Sequence, residues 1–589
     1  MDMYGFYTGQ EFAAYEYLGA HIEKDGVVFR TYAPNAGKVS LLLDGAEIPM
    51  QSVYDGNFYE LLVPDAVAGQ LYEYRIYFQN GGYQDHADPY GFEMELRPKH
   101  KSVVCDLSAY SFHDSRWLKR RTNCLTKPLN IYEMHLGSWQ RDKHGEMLSY
   151  TDTARRLIPY LKKSGYNYVE FLPICEHPCD ESWGYQNTGF FAPTSRYGKP
   201  QGLMEAIDLL HQNDIGVILD FVPVHFAVDD YALARYDGTA LYEYPHSAVG
   251  VSEWGSHNFM HSRGEVRSFL QSAANYFMTC YHFDGLRIDA ISCIIYWQGD
   301  EMRGENGNAI EFIKVMNMGL KKRHKGIMLI AEDSTNYPGV TSPVEKGGLG
   351  FDYKWDMGWM HDTLEYFQLP PEQRTQHYHK LTFSMMYYWG EQYLLPYSHD
   401  EVVYGKATIL QKMNGQYEDK FPQARAMYLY MMVHPGKKLN FMGNEIGQLR
   451  EWDEKREQDW ELRKYPAHDS FYRFMCELNE VYLTHSALSA LDYSEDGFLW
   501  VDCHQEQKCV YAISRKSEEE ELIAVFNFSD KEQSYTLPEK TAKEKFGVLL
   551  YTDWEKYGGQ SSLSKDVWVD GIITLDRFSG VLLKVLPNA

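Results

Sequence analysis

Asn130-Ile131-Tyr132-Glu133-Met134 is a short apolar run of buried-strand character, and the text after it alternates in kind. Thr151 to Lys163 carries helical periodicity, Tyr166 to Leu172 reads as a second strand, and Gly202 to Gln212 as a second helix. Further buried-strand runs are Gly216–Phe221, Gly285–Ile288, Ile327–Ala331, Phe351–Lys354, Tyr393–Pro396 and Lys438–Met442, with helical stretches between most of them. That makes eight strands, the number a closed (β/α)8 barrel requires. An open doubly wound sheet shares this periodicity, but no glycine-rich phosphate loop opens any of the helices. The expected fold class is α/β, with a (β/α)8 barrel in residues 106–487.

Outside that region the grammar changes. Gly26–Tyr32, Lys38–Asp44 and Tyr72–Tyr77 are short β-rich runs broken by Pro34-Asn35-Ala36-Gly37 and Asn80-Gly81-Gly82. They predict an N-terminal β-sandwich of about 80 residues within 1–105. From about Leu488 the pattern returns to short strands: Phe498–Asp502, Cys509–Ser514, Leu522–Asn527, Gly547–Tyr551 and Gly580–Val585. A C-terminal antiparallel β-domain is expected over 488–589, with the four acids Glu518 to Glu521 as a solvated hairpin turn.

The chain has 589 residues and a formal charge of 57 − 82 = −25, which repels phosphate backbones and anionic lipid. Nucleic acid and membrane surfaces are poor partners for it. The longest apolar run, Ala426 to Val433, is far short of the roughly 20 residues a membrane helix needs. The start, Met1-Asp2-Met3-Tyr4-Gly5, has no basic and apolar leader, so a cytoplasmic location is expected. Nine scattered cysteines suit reduced, buried thiols better than a disulfide framework. Cys175, His177 and Cys179 have no second Cys or His pair at zinc spacing, so they are read as ordinary loop residues and no metal is expected. The main compositional excess is aromatic, 15% of residues with 47 Tyr and 13 Trp. Aromatic rings stack on the C–H faces of sugars, so an aromatic-rich acidic protein points to a neutral carbohydrate partner.

In a barrel, catalytic groups come from the C-terminal ends of the strands. The third strand runs into Leu219-Asp220-Phe221-Val222-Pro223-Val224-His225, the fourth spans Asp284-Gly285-Leu286-Arg287-Ile288-Asp289, the fifth ends Ala331-Glu332-Asp333, and the seventh Tyr397-Ser398-His399-Asp400-Glu401. Taken singly, an Arg-x-Asp is an ion pair and a Glu after a strand is a helix cap; four such ends in barrel order are not an accident of composition. Glycoside cleavage needs a carboxylate nucleophile, a protonated acid and stabilisation of an oxocarbenium-like transition state. Asp289 lies two residues after Arg287, so their side chains share a strand face and the guanidinium keeps the carboxylate ionised. Glu332 ends an apolar strand, where apolar surroundings and a nearby anion would raise its pKa and suit it as the acid. Asp400 supplies a second anion, and His225 and His399 can donate to sugar hydroxyls.

Asp220–His225, Gly285–Asp289, Glu332 and His399–Asp400 resemble the four motif regions of the α-amylase superfamily. Tyr132–Trp139, Trp183–Pro193, Gly339–Asp362 and Phe441–Trp452 extend the resemblance to the 1,4-α-glucan branching enzymes, over most of residues 20 to 580. The resemblance implies a carbohydrate-binding first domain, an α-glucan substrate such as amylose or glycogen, and no cofactor. It also implies Asp289 as nucleophile, Glu332 as acid/base and Asp400 as transition-state stabiliser, with Tyr185, His225, Arg287 and His399 as substrate contacts. Tyr185 is singled out by the resemblance alone, and Asp220 is taken as a supporting carboxylate. Phe221 stands for a usual Trp, Tyr404 for a usual His, Asp333 for Glu and Asp453 for Asn, and the stretch after Trp460 is irregular. Related hydrolases, debranching enzymes and 4-α-glucanotransferases use the same catalytic groups, and a silent glucan-binding protein would need only the β-domains and the aromatics. Oligomeric state is left open by the sequence.

Overall fold

The computed structural model describes residues 1–538, 545–562 and 571–586. By backbone contacts the chain divides into two compact units, one of Met1–Thr122, His135–Ile158 and Glu170–Phe351, the other of Asn123–Met134, Pro159–Val169 and Asp352–Ala589. Strands Asn130–Met134, Tyr168–Phe171, Gly216–Phe221, Gly285–Ile288, Met328–Ala331, Tyr353–Trp355, Tyr393–Tyr397 and Lys437–Phe441 are neighbours in that order and close into a barrel. Their ladders are parallel, as in Ile218↔Gly285 and Leu286↔Leu329. Every residue of the first, third, fourth and fifth of these strands is buried. Both faces of such a strand are covered, which is why the sequence shows continuous apolar runs rather than alternation.

In the first unit, the N-terminal residues form two antiparallel sheets. One is ordered Gly19–Glu23, Gly26–Tyr32, Phe58–Val63, Gln51–Val53; the other Ala46–Pro49, Ala36–Leu43, Leu71–Phe78, Tyr83–His86. The expected sandwich strands are thus present, with the second run starting at Ala36 inside the stretch read as a turn. The leading segment docks on helix Gly264–Cys280, whose Ser268, Gln271 and Asn275 side chains donate to the carbonyls of Phe6, Gly9 and Phe12 at 3.0, 3.1 and 2.9 Å. Gly264 permits this approach, since a Cβ there would lie 1.9 Å from the Tyr7 carbonyl.

In the second unit, a five-stranded antiparallel sheet runs Phe498–Gln505, Val510–Lys516, Glu521–Asn527, Ser579–Leu586, Lys545–Tyr551. These are the five strands expected, and a further short pair, Gln533–Thr536 with Ile572–Leu575, was not. The acidic turn is corrected in one respect. Glu520 is not a solvated charge but accepts from His485 and Lys584 at 2.9 and 2.7 Å. The nine cysteines are free, but only Cys105, Cys124, Cys175 and Cys509 are buried, and Cys179 is exposed. Among the described residues no helix is long and apolar enough to cross a membrane.

The N-terminal ends of the third and fourth barrel strands are tied by a buried ionic cluster. Asp284, which opens the fourth strand, accepts from the Val217 amide and the Trp117 indole, both at 2.8 Å. His211, at the end of helix Pro200–Gln212, stands between Asp114 at 2.8 Å and Asp284 at 2.9 Å. Burial alone would push the His211 imidazole down, yet Asp284 and Asp114 raise it to about 9. Because the native state holds this proton more tightly than an ordinary histidine near pH 6.5, its contribution is complete below about 6.5 and is lost as pH rises through 9. The apparent melting temperature should therefore fall over that window, reflecting a contribution on the order of 3 kcal/mol. In His211→Gln this alkaline decline should be absent, which melting curves of both proteins from pH 6 to 9.5 will check.

Candidate active site

The register Asp220↔Arg287 sets an acid and a guanidinium side by side on the third and fourth strands. Arg287 Nη1 donates to Asp220 Oδ1 and Oδ2 at 2.9 and 2.8 Å and to Asp289 Oδ1 at 2.8 Å. The pairing Ile288↔Ala331 then brings Glu332 level with Asp289, and Glu332 Oε2 lies 3.7 Å from Arg287 Nη2. The Arg287 side chain is 1% exposed. Burial opposes its charge, but Asp220, Asp289 and Glu332 together hold its pKa well above the usual value. The pairing of Arg287 with Asp289 read from their spacing is therefore present. It is extended by Asp220, whose Oδ2 also accepts from the Tyr185 hydroxyl at 2.5 Å.

Glu332 differs from its expected surroundings. Instead of an apolar pocket, its Oε2 accepts the Ala290 amide at 2.7 Å and faces Arg287. Ala290, directly after Asp289, has φ +47, a left-handed conformation that a side chain rarely adopts. That turn aims its amide at Glu332, so the strained residue couples the end of the fourth strand to the acid on the fifth.

His225 opens a two-residue strand, His225–Phe226, paired with His257–Asn258. Burial pushes its imidazole down to about 4, so it is neutral at pH 7. Its Nδ1 is buried without a hydrogen-bond partner in the structure, and its ring lies 5.0 Å from that of Trp254. Trp254 is 47% exposed and was not among the predicted site residues.

In the second unit, His399 and Asp400 follow strand Tyr393–Tyr397 as expected. The His399 amide donates to Glu133 Oε2 at 2.9 Å, and its Nδ1 meets Glu133 Oε1 at 2.6 Å. A carboxylate on Nδ1 fixes the proton there and turns Nε2 outward, where Asp400 Oδ1 lies 3.5 Å away. Asp400 is 44% exposed at its side chain. Glu133 is the residue sequence reasoning missed; the signal was a charged side chain inside an otherwise apolar buried strand, which demands a partner. Nearby, Glu445 accepts the hydroxyls of Tyr132, at 2.8 Å, and Tyr160.

Among the described residues no group of three or more His, Cys, Asp or Glu is arranged to hold a metal ion. Cys175 Sγ lies 3.8 Å from the Phe190 carbonyl, and His177 Nδ1 2.9 Å from the Cys175 carbonyl.

Residues 17–91 match the family described as carbohydrate-binding module 48 (isoamylase N-terminal domain), and residues 500–585 the alpha amylase C-terminal all-beta domain. The backbone is similar to that of pullulanase type I from Bacillus subtilis, with a TM-score of 0.77 and 18% identity over 98% of this chain and 86% of that one. A pullulanase from Bacillus acidopullulyticus has a TM-score of 0.75 at 18% identity, over 96% of this chain and 74% of that one. Sequence relatives are nearer. The 1,4-alpha-glucan branching enzyme GlgB 1 of Clostridium perfringens is 42% identical, over 96% of this chain and 88% of its own. The corresponding GlgB of Halothermothrix orenii is 42% identical over 96% and 94%, and that of Bacillus subtilis 40% over 96% and 92%. With such identity over nearly the whole length of both partners, the chain belongs to the 1,4-α-glucan branching enzyme family of the α-amylase superfamily.

Proposed function

We propose that the chain cleaves α-1,4 bonds of an α-glucan and transfers the freed segment to a sugar 6-hydroxyl, forming α-1,6 branches. The observation that carries the chemistry is the single guanidinium of Arg287 shared by Asp220, Asp289 and Glu332. Asp289 acts as nucleophile: with Oδ1 fixed by Arg287, its carboxylate attacks C1 as the bond to the 4-oxygen breaks, and Glu332 gives that oxygen a proton. A β-linked glycosyl ester on Asp289 results. Glu332 then takes the proton of the incoming 6-hydroxyl, whose oxygen displaces the carboxylate, so the anomeric configuration is retained. Asp400, next to His399, stabilises the positive charge that develops at C1. Neutral His225 donates to a substrate hydroxyl, and Tyr185, its hydroxyl anchored on Asp220, offers its ring to the sugar at the cleavage point.

Residues 1–105, 106–487 and 488–589 are proposed as the sandwich, barrel and C-terminal domains; the two family matches fall inside the first and the last. Free thiols throughout support a reducing, cytoplasmic setting. The rival reading, a hydrolase of the same superfamily, differs only in the acceptor.

Amylose incubated with the protein should gain an α-1,6 signal in the anomeric region of the proton NMR spectrum with little rise in reducing ends. A rise in reducing ends without that signal would make the chain a hydrolase. Asp289→Asn should lower turnover by about 10⁴-fold or more while amylose retention in affinity electrophoresis stays near wild type. Glu133→Gln should lower kcat by roughly 10- to 100-fold with KM little changed, because His399 loses the charge that fixes its tautomer. Steady-state kinetics on amylose will check this.

A further inference from the structure

The loop after the seventh barrel strand is built in an unfavourable backbone shape. After the turn His399–Val402, Tyr404, Gly405 and Ala407 all take left-handed conformations, with φ of 56, 79 and 66. Two of the three carry a Cβ, and such conformations persist only where neighbours over-determine them.

Two side chains do so here. Lys412 is 6% exposed, and its ammonium donates to the Glu401 and Ala407 carbonyls at 2.6 and 2.7 Å and to the Lys406 carbonyl. An ammonium has three N–H groups, and three loop carbonyls meet them. A cation taken from water and spent on carbonyls rather than on a carboxylate is costly, and what it secures is the path of residues 401–407. Glu451 holds the complementary groups: its Oε2 and Oε1 accept the amides of Gly405 and Ala407 at 3.0 and 2.7 Å. The next residue, Trp452, donates its amide to Val402 at 3.0 Å and sets its ring 6.1 Å from that of His399. Carbonyls and amides of one short loop are thus gripped from two sides, immediately beyond Asp400.

We propose that Lys412 and Glu451 are positioning residues for Asp400: they clamp the strained loop that follows it and so fix where its carboxylate stands during bond cleavage. This rests on the role given to Asp400 above. Their effect runs through the backbone of 401–407, and it should appear in kcat rather than in KM.

The test uses the full-length chain and α-maltosyl fluoride as donor, with fluoride release followed so that slow variants remain measurable. Lys412→Met keeps the stem and removes the donors; Glu451→Ala removes the acceptors. Each should lower kcat by roughly 10- to 100-fold and leave KM within about threefold. In an Asp400→Asn background, neither should lower the residual rate further, because the carboxylate they place is gone. A folded Lys412→Met or Glu451→Ala variant with wild-type kcat would overturn the proposal. So would an equal drop in the Asp400→Asn background, which marks a general structural role. If Lys412→Met fails to fold, Glu451→Ala carries the test; if both fail, the pair serves the fold and the proposal falls. Should Asp400→Asn alone keep wild-type kcat, the functional reading fails instead.

Discussion

Arg287 is a guanidinium removed from water in the wall of a barrel, and the chemistry of the first unit depends on how that charge is met. A buried cation without partners would cost several kcal/mol, and removing one partner of a buried pair is more damaging than never having had the pair. Here the partners are Asp220 on the neighbouring strand, Asp289 two residues on, and Glu332 at the end of the next strand. One positive charge faces three acids. The local excess is negative, which suits a site where positive charge develops at an anomeric carbon and the field is in place before the reaction begins. On the proposed function, charge balance and catalysis draw on the same groups, so none can be replaced without disturbing the other two.

The barrel separates this from its own stability. At the start of the fourth strand, Asp284 is absorbed by His211, Trp117 and the Val217 amide. At its end, Arg287 meets Asp220 and Asp289. The same strand therefore carries a satisfied ionic cluster at one end and an acid-rich site at the other, as expected of a fold whose strand starts serve stability and whose strand ends serve chemistry. Parallel register does the transmission. Because Asp220↔Arg287 and Ile288↔Ala331 are fixed by backbone hydrogen bonds, the acids need no long side-chain reach to meet.

What was legible in the sequence follows from this geometry. Strands buried on both faces announce themselves as apolar runs, so all eight barrel strands could be read, several of them to the residue, as with Gly216–Phe221 and Gly285–Ile288. Arg287 with Asp289 was legible because period-two spacing is local. Glu133 was not given a role because its partner His399 lies 266 residues away, and nothing near Glu133 says what answers its charge. The same blindness misjudged Glu520, which looks solvated among its acidic neighbours and is held by Lys584, 64 residues on. The strand pair 533–536 and 572–575 is short and far apart in sequence, which leaves no periodicity to read. Glu332 was expected in apolar surroundings and instead meets the Ala290 amide and Arg287, since the amide of a left-handed Ala290 cannot be inferred from an apolar run.

The shared catalytic groups leave the choice of acceptor to be explained by something other than the acids. On the nucleophile role proposed for Asp289, a glycosyl ester there would meet water at far higher concentration than any glucan hydroxyl, and both are nucleophiles of similar kind. Transfer prevails only where a bound acceptor chain gains effective concentration from being held in line, and where the rim does not yield to let solvent in. Rigid rim loops serve that end better than mobile ones. The loop after Asp400 is strained and is gripped by Lys412 and Glu451. On the proposed function, selectivity for a hydroxyl over water would arise from how firmly the acceptor is held rather than from any change in the acids.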